Sequence, residues 1–238
     1  MRIINVRQQS EEWDRWRARP TASEFGKFCT PARGDYSSQA PAYAAKIVAK
    51  QLGVYTEAPP SYWMEWGIEH EPNAKHAYTL QTGREIQDVG FILPDNTDAY
   101  GGSPDGLVGD DGLIEIKCPA PETLISYHAE GVLPSQYKPQ VQGLLFISGR
   151  AWCDFYAFHP ELTPFLLRVE PDLKYQAKQA ECLLLLLKEI QRIQEKVARM
   201  RHQLVSTSMR KDTVRFDDDR LIGVAFADLG DCDRDRPG

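Results

Sequence analysis

The stretch GGSPDGLVGDDGLIEIKCP, starting at position 101, constrains this chain more than any other. It holds two short β-type runs separated by a Gly/Asp-rich turn, which predicts a hairpin. In a strand, residues two apart share a face. Glu115 and Lys117 therefore project together, while Ile114 and Ile116 face the other way, into a core. The hairpin brings Asp105, just after a Ser-Pro turn, alongside them. The expectation is two carboxylates and one ammonium at one edge of a sheet. Carboxylates are hard oxygen ligands suited to Mg2+ or Mn2+. The ammonium can hold and help deprotonate a water, or offset charge developing on a phosphate. A lone Glu-x-Lys is ordinarily a solvated surface pair. The turn, the spacing and the apolar flanks that partly bury it mark this one as a site.

The texture around it is mixed α/β. SEEWDRWRARPTASEFGKF predicts a short helix ending before Pro20, with Thr21 or Ser23 capping the next one. PAYAAKIVAKQLGV has helical periodicity and stops at Gly53. In SYWMEWGIEHEPNAKHAYTLQTG, Pro72 is tolerated only in a first turn, so that helix is predicted from near Gly67 to Gly83. Residues 84–117 read as a meander of short strands. A helix follows over PSQYKPQVQGLLFISG, then two strands, AWCDFYAFHP and TPFLLRVEP, and one long helix over 172–204. Its run LLLLL at 183–187 covers every side of a helix, which predicts burial all round. The domain is expected to span 1–204, with an acidic, partly disordered tail over 205–238.

S-P-D-G followed by E-I-K-C-P resembles the PD-(D/E)xK nuclease signature as the lambda-exonuclease (YqaJ-type viral recombinase) family writes it. Three further segments match in the family's order over roughly residues 10–160. WGIEHEPNA resembles its upstream acidic helix, WDRWRARPTAS its N-terminal phosphate-binding segment, and QYKPQVQ its downstream glutamine helix. The resemblance implies a restriction-endonuclease-like core, a mixed sheet flanked by helices, with a long C-terminal helix added. It implies that Asp105 and Glu115 bind two Mg2+ ions (Mn2+ substituting), aided by the Ile116 carbonyl, with Glu71 completing the second site. Lys117 would position the attacking water and Gln140 would support the site. Arg17, Ser23 and Ser103, with Thr21 nearby, would hold the 5′-phosphate of the strand being degraded. Family members degrade duplex DNA 5′→3′, and some are ring-shaped trimers working with a single-strand annealing protein.

Each residue also has a plainer reading. Glu71 before Pro72 suits a helix N-terminus, and Arg17 suits a solvated helix face. Trp13 packs in a core or stacks on a terminal base. Gln140 and Gln142 on an amphipathic helix are ordinarily surface residues, and the histidines lack metal spacing. The five cysteines, never spaced as CxxC, argue against a disulfide scaffold or an iron–sulfur centre and fit a reducing cytoplasm. The N-terminus carries charge without an apolar run, so no secretory signal is expected, and no stretch suits a membrane span. A net charge of −6 argues against non-specific coating of nucleic acid, but basic residues gather locally in the N-terminal region and on the late helix. An endonuclease on the same core, or a catalytically silent DNA-end-binding module, are the competing functions.

Overall fold

The computed structural model describes residues 1–213, with side chains through Arg201. Met1–Glu195 form one compact unit, and the described residues from Lys196 onward belong to a second. Of the acidic tail expected over 205–238, residues 205–213 are helical, and 214–238, including Asp217, Asp218 and Asp219, lie outside the described residues.

The frame of the first unit is a five-stranded mixed sheet ordered β2-β4-β5-β6-β7. Its strands are Ile86–Gln87 (β2), Gly106–Val108 (β4), Gly112–Lys117 (β5), Trp152–His159 (β6) and Leu162–Val169 (β7). β2, β4 and β5 run antiparallel, β5 and β6 pair in parallel, and β7 returns antiparallel to β6. The β4–β5 turn is tight because Gly109 adopts φ +57°, which a side chain resists. A parallel pair needs a crossover. Here two helices supply it, Pro121–Glu130 (α4) and Lys138–Ser148 (α5), which end at Gly131 and Gly149 in left-handed geometry.

The crossover explains why β5 is buried on both faces. Leu113 belongs to the core formed with Val141, Leu144 and Phe155, whereas Ile114 and Ile116 pack with Ala74, Tyr78 and Tyr156 on the other side. The charged strand is thus the middle strand, not a sheet edge as expected. Apolar neighbours on both sides bury Glu115 and leave Lys117 part-buried at the mouth of a cleft.

Ahead of the sheet come Arg2–Ile4 (β1), Glu11–Trp16 (α1), a 3-10 turn over Ala22–Lys27, Ala40–Gln51 (α2) and Tyr62–Thr82 (α3). Phe91–Leu93 (β3) leaves the predicted meander and pairs with β1, forming a separate two-stranded sheet. Thr21 stands at the N-cap of the 3-10 turn without a side-chain cap bond, and its amide donates to Tyr43 Oη at 3.3 Å.

α3 begins at Tyr62, earlier than Pro72 suggested. Ser61 caps it, its Oγ accepting from the Met64 amide at 3.4 Å, and Pro72 lies inside the helix. An interior proline costs about 3 kcal/mol. Packing of Ala74 and Tyr78 after the proline, and of Trp66 before it, against the second core offsets that cost.

The last element, Leu173–Thr213 (α6), outruns the predicted end at 204. Leu183 and Leu186 are buried, but Leu184 is 60% exposed and Leu185 48%, so the leucine run is not enclosed all round. The buried set Gln179, Cys182, Leu183, Leu186 and Ile190 follows a single helical stripe. Cys29, Cys118, Cys153 and Cys182 are free and buried, in keeping with the absence of a disulfide framework among the described residues. Among those residues no helix is long and apolar enough to cross a membrane.

Candidate active site

The β4–β5 register pairs Gly106 with Ile114, and one step further sets Asp105 opposite Glu115. Asp105 Oδ2 accepts a 2.6 Å hydrogen bond from the Ile116 amide, which ties the turn carboxylate to the strand. Glu115 is 1% exposed. Its Oε1 accepts from both Lys117 Nζ and Gln140 Nε2, while its Oε2 is buried without a hydrogen-bond partner. Gln140 reaches it from the first turn of α5, so the crossover that buries β5 also delivers this amide.

The electrostatics follow from crowding acids in a dry place. Burial, and then the neighbouring Glu115, push the Asp105 carboxyl well above its usual range. Burial likewise raises Glu115, against the opposing pull of Lys117. Burial alone would lower Lys117, but Glu115 and Asp105 outweigh it and hold its pKa above the ordinary lysine value. Lys117 is therefore charged at neutral pH. A charged Lys117 is a donor able to orient water or offset phosphate charge.

Glu71 joins from α3, where it, Asp105, Ile116 and Lys117 line one cleft of about 460 Å³. Its Oε1 lies 3.0 Å from Lys75 Nζ. Among the described residues no three His, Cys, Asp or Glu side chains converge closely enough, as they stand, to hold an ion. The donor chemistry nonetheless suits a hard divalent cation. Two carboxylates face each other across a strand pair, each disfavoured as a free anion, and one buried oxygen has no protein partner. Asp105, Glu115 and Glu71 would hold such an ion.

The N-terminal segment is laid beside the strand entrance. Thr21 forms a parallel bridge with Gly101, and Ala22 N donates to Gly101 O at 3.0 Å. Trp13 is half-buried, and its Nε1 donates to Ser103 Oγ at 2.7 Å. The Arg17 guanidinium lies 4.2 Å over the Trp13 ring. Arg17, Trp13 and Ser103 are thus one connected group, of which Ser103 stands two residues before Asp105 in the chain. Thr21 Oγ1 and Ser23 Oγ lie 3.4 Å apart as a second pair, and Arg17 and Thr21 share a small cleft with Lys46 and Lys50.

Sequence reasoning missed Trp63, Met64 and Ile68 of α3, which form a wall of the cleft that Glu71, Asp105 and Tyr137 also line. Trp63, Met64 and Ile68 are exposed. Their apolar run just after a capping serine was the available signal, hidden by starting the helix near Gly67. His70, one residue from Glu71, stacks on Trp66 with ring centroids 3.7 Å apart. Gln142 is no surface residue: buried, it donates to Glu170 O at 2.9 Å and accepts from the Asp172 amide at 2.8 Å, joining α5 to the start of α6.

Known proteins share this fold. Residues 12–151 match the model of the YqaJ-like viral recombinase domain. The chain resembles the structure of LHK-Exo in complex with dAMP, at 32% identity and a TM-score of 0.74, over 82% of this chain and 100% of that one. It is similar to the alkaline exonuclease LHK-Exo from Laribacter hongkongensis, at 32% identity and a TM-score of 0.68, over 80% and 100% of the two chains. A phage-related exonuclease from Haemophilus somnus 129PT shares the fold at 13% identity, with a TM-score of 0.58 over 75% and 96%. Among curated proteins none matches. The hairpin that opposes Asp105 to Glu115, the glutamine that reaches them from the crossover and the N-terminal segment laid beside them all fall within the matched residues, and the chain belongs to the YqaJ-like viral recombinase family.

Proposed function

We propose that this chain is a Mg2+-dependent exonuclease that degrades one strand of linear duplex DNA 5′→3′ from a 5′-phosphorylated end. It would leave 3′ overhangs for single-strand-annealing recombination. The observation that carries the reading is Glu115: buried, gripped on one oxygen by Lys117 and Gln140, and without a partner on the other. A strand interior that needed only stability would hold an apolar residue there, because burying a charge is costly. The relatives described as exonucleases, one of them with dAMP, support the reaction class.

Bound divalent ions would supply the charge that activates a water and stabilises the leaving oxygen. The chain's residues do the rest. Asp105 and Glu115 hold their carboxylates opposed, fixed by the Ile116 amide and by Gln140. Lys117, charged, donates to the attacking water or to the scissile phosphate. Arg17, seated on Trp13, offers a guanidinium fork to the terminal phosphate, and Ser103 and Ser23 add hydroxyls. The Trp13–Ser103 bond connects that pocket to Asp105, so the end that is held and the bond that is cut are set by one backbone segment.

The working form is a homotrimer that encircles the duplex in the cytoplasm and hands its product to an annealing protein. Encirclement suits a chain of net charge −6, because a ring retains a polyanion without relying on a net positive charge. A monomeric mass in solution at micromolar concentration would count against it.

Digestion of a linear duplex labelled separately at each 5′ and 3′ terminus tests the reading. Release of 5′ label first, only when Mg2+ or Mn2+ is supplied, with covalently closed DNA untouched, is the expected result. Cleavage of closed circles would make the protein an endonuclease, and binding without cleavage would make it an end-binding module.

A further inference from the structure

Glu71 borders two clefts. One is the active-site cleft with Asp105 and Lys117; the other, of about 450 Å³, is lined by Arg7, Gln8, Lys75 and Asp88. In the structure its carboxylate is held towards the second. Lys75 Nζ lies 3.0 Å from Glu71 Oε1 and 2.8 Å from Asp88 Oδ1. The pair is one helical turn apart on α3, the spacing at which such side chains meet. Glu71 and Lys75 are both part-buried, at 31% and 25% side-chain exposure, whereas Asp88 is largely open. α3 itself is anchored by Ala74 and Tyr78 in the second core, so the carboxylate moves only by changing side-chain rotamer.

Lys75 therefore has two acidic partners, and it keeps one of them when Glu71 leaves. Release of Glu71 costs a single partly screened ion pair and strands no charge. That is the arrangement of a carboxylate with two resting places. We propose that Glu71 exchanges between Lys75 and a divalent ion held with Asp105, and that Lys75, braced by Asp88, is the positioning residue that sets how tightly the second ion is held. The inference rests on the metal-dependent reading above.

Calorimetric titration of the DNA-free, full-length protein with Mn2+ tests it without reference to activity. Wild type is expected to take up two ions, the weaker of them lost or loosened in Glu71→Gln. Lys75→Met should tighten the weaker ion by about two- to fivefold, the size of one partly exposed ion pair. Lys75→Arg, which keeps the pair, should bind like wild type. Asp88→Asn leaves Lys75 with Glu71 alone and should loosen the weaker ion. In the Glu71→Gln background both Lys75→Met and Asp88→Asn should have no effect on ion binding.

An unchanged weaker affinity in Lys75→Met overturns the inference. So does equal tightening in the Glu71→Gln background, because Lys75 would then act only as a charge through space. No Mn2+ uptake by wild type would instead overturn the metal-dependent reading itself, a different result from either.

Discussion

Replacing Lys117 by methionine tests the electrostatic design of the site most directly. The substitution keeps the length of the side chain and removes the charge, leaving Glu115, 1% exposed, with Gln140 as its only donor. Breaking a buried pair by removing one partner costs about 3–5 kcal/mol, because the other charge stays buried and uncompensated. For a domain of this size about 1 kcal/mol moves the melting temperature by roughly 2–4 °C, so the loss should be on the order of 6–20 °C. The measurement is thermal unfolding followed by circular dichroism, in chelator.

The pH dependence has a definite sign. Burial raises the Asp105 and Glu115 carboxyls in the folded protein, and losing Lys117 raises them further. A group whose folded pKa is raised contributes most below its unfolded pKa and loses that contribution as pH rises through the folded value. The variant should therefore approach wild-type stability near pH 4 and fall furthest behind it above neutrality. Adding Glu115→Gln to Lys117→Met removes the stranded charge and should restore most of the lost stability. Mg2+ should restore part of it in the single variant. If Lys117→Met melts with wild type at pH 8, or if Glu115→Gln fails to rescue it, the buried-pair account is wrong.

Asp105→Ala and Glu115→Ala should each abolish cleavage in Mg2+ while the circular-dichroism spectrum stays that of the folded protein; substantial residual cleavage would remove the assigned acids from the chemistry. Wild type should digest a 5′-phosphorylated duplex faster than a 5′-hydroxyl one, and Arg17→Ala should erase most of that difference, worth about 1.5–3 kcal/mol for a charged hydrogen bond; equal slowing on both ends would refute the pocket. Gly101→Ala should both destabilise the fold and depress cleavage, because a Cβ there meets Phe91 Cε1 at 2.3 Å and the Ile92 carbonyl oxygen at 2.5 Å, forcing the segment that carries Ser103 and Asp105 out of place. Unimpaired melting and turnover in that variant would show that the segment tolerates displacement.

What the sequence determined by itself was whatever depends on neighbours along the chain. Glu115 and Lys117 share a face because strands repeat every two residues, and Asp105 meets Glu115 because a Gly/Asp turn closes a short hairpin. The left-handed glycines at 83 and 149 end their helices where local chemistry requires, whereas the helix that ends at Gly131 was not read from the sequence. The family signature draws on the same local patterns, which is why the motif acids were legible.

Only the tertiary structure decided which surfaces meet. β3 left the meander for β1, a partner that periodicity cannot name. The α4–α5 crossover turned an expected edge strand into the middle of the sheet and carried Gln140 onto Glu115. Pro72 was accommodated inside α3 because long-range burial of Ala74, Tyr78 and Trp66 outweighs a local penalty. That extension of α3 brought Trp63, Met64 and Ile68 to the cleft wall. Gln142 became a buried junction, and two of the run of leucines stayed in solvent. In each case the local pattern gives the face a residue occupies, but its burial depends on what packs against that face from elsewhere in the chain.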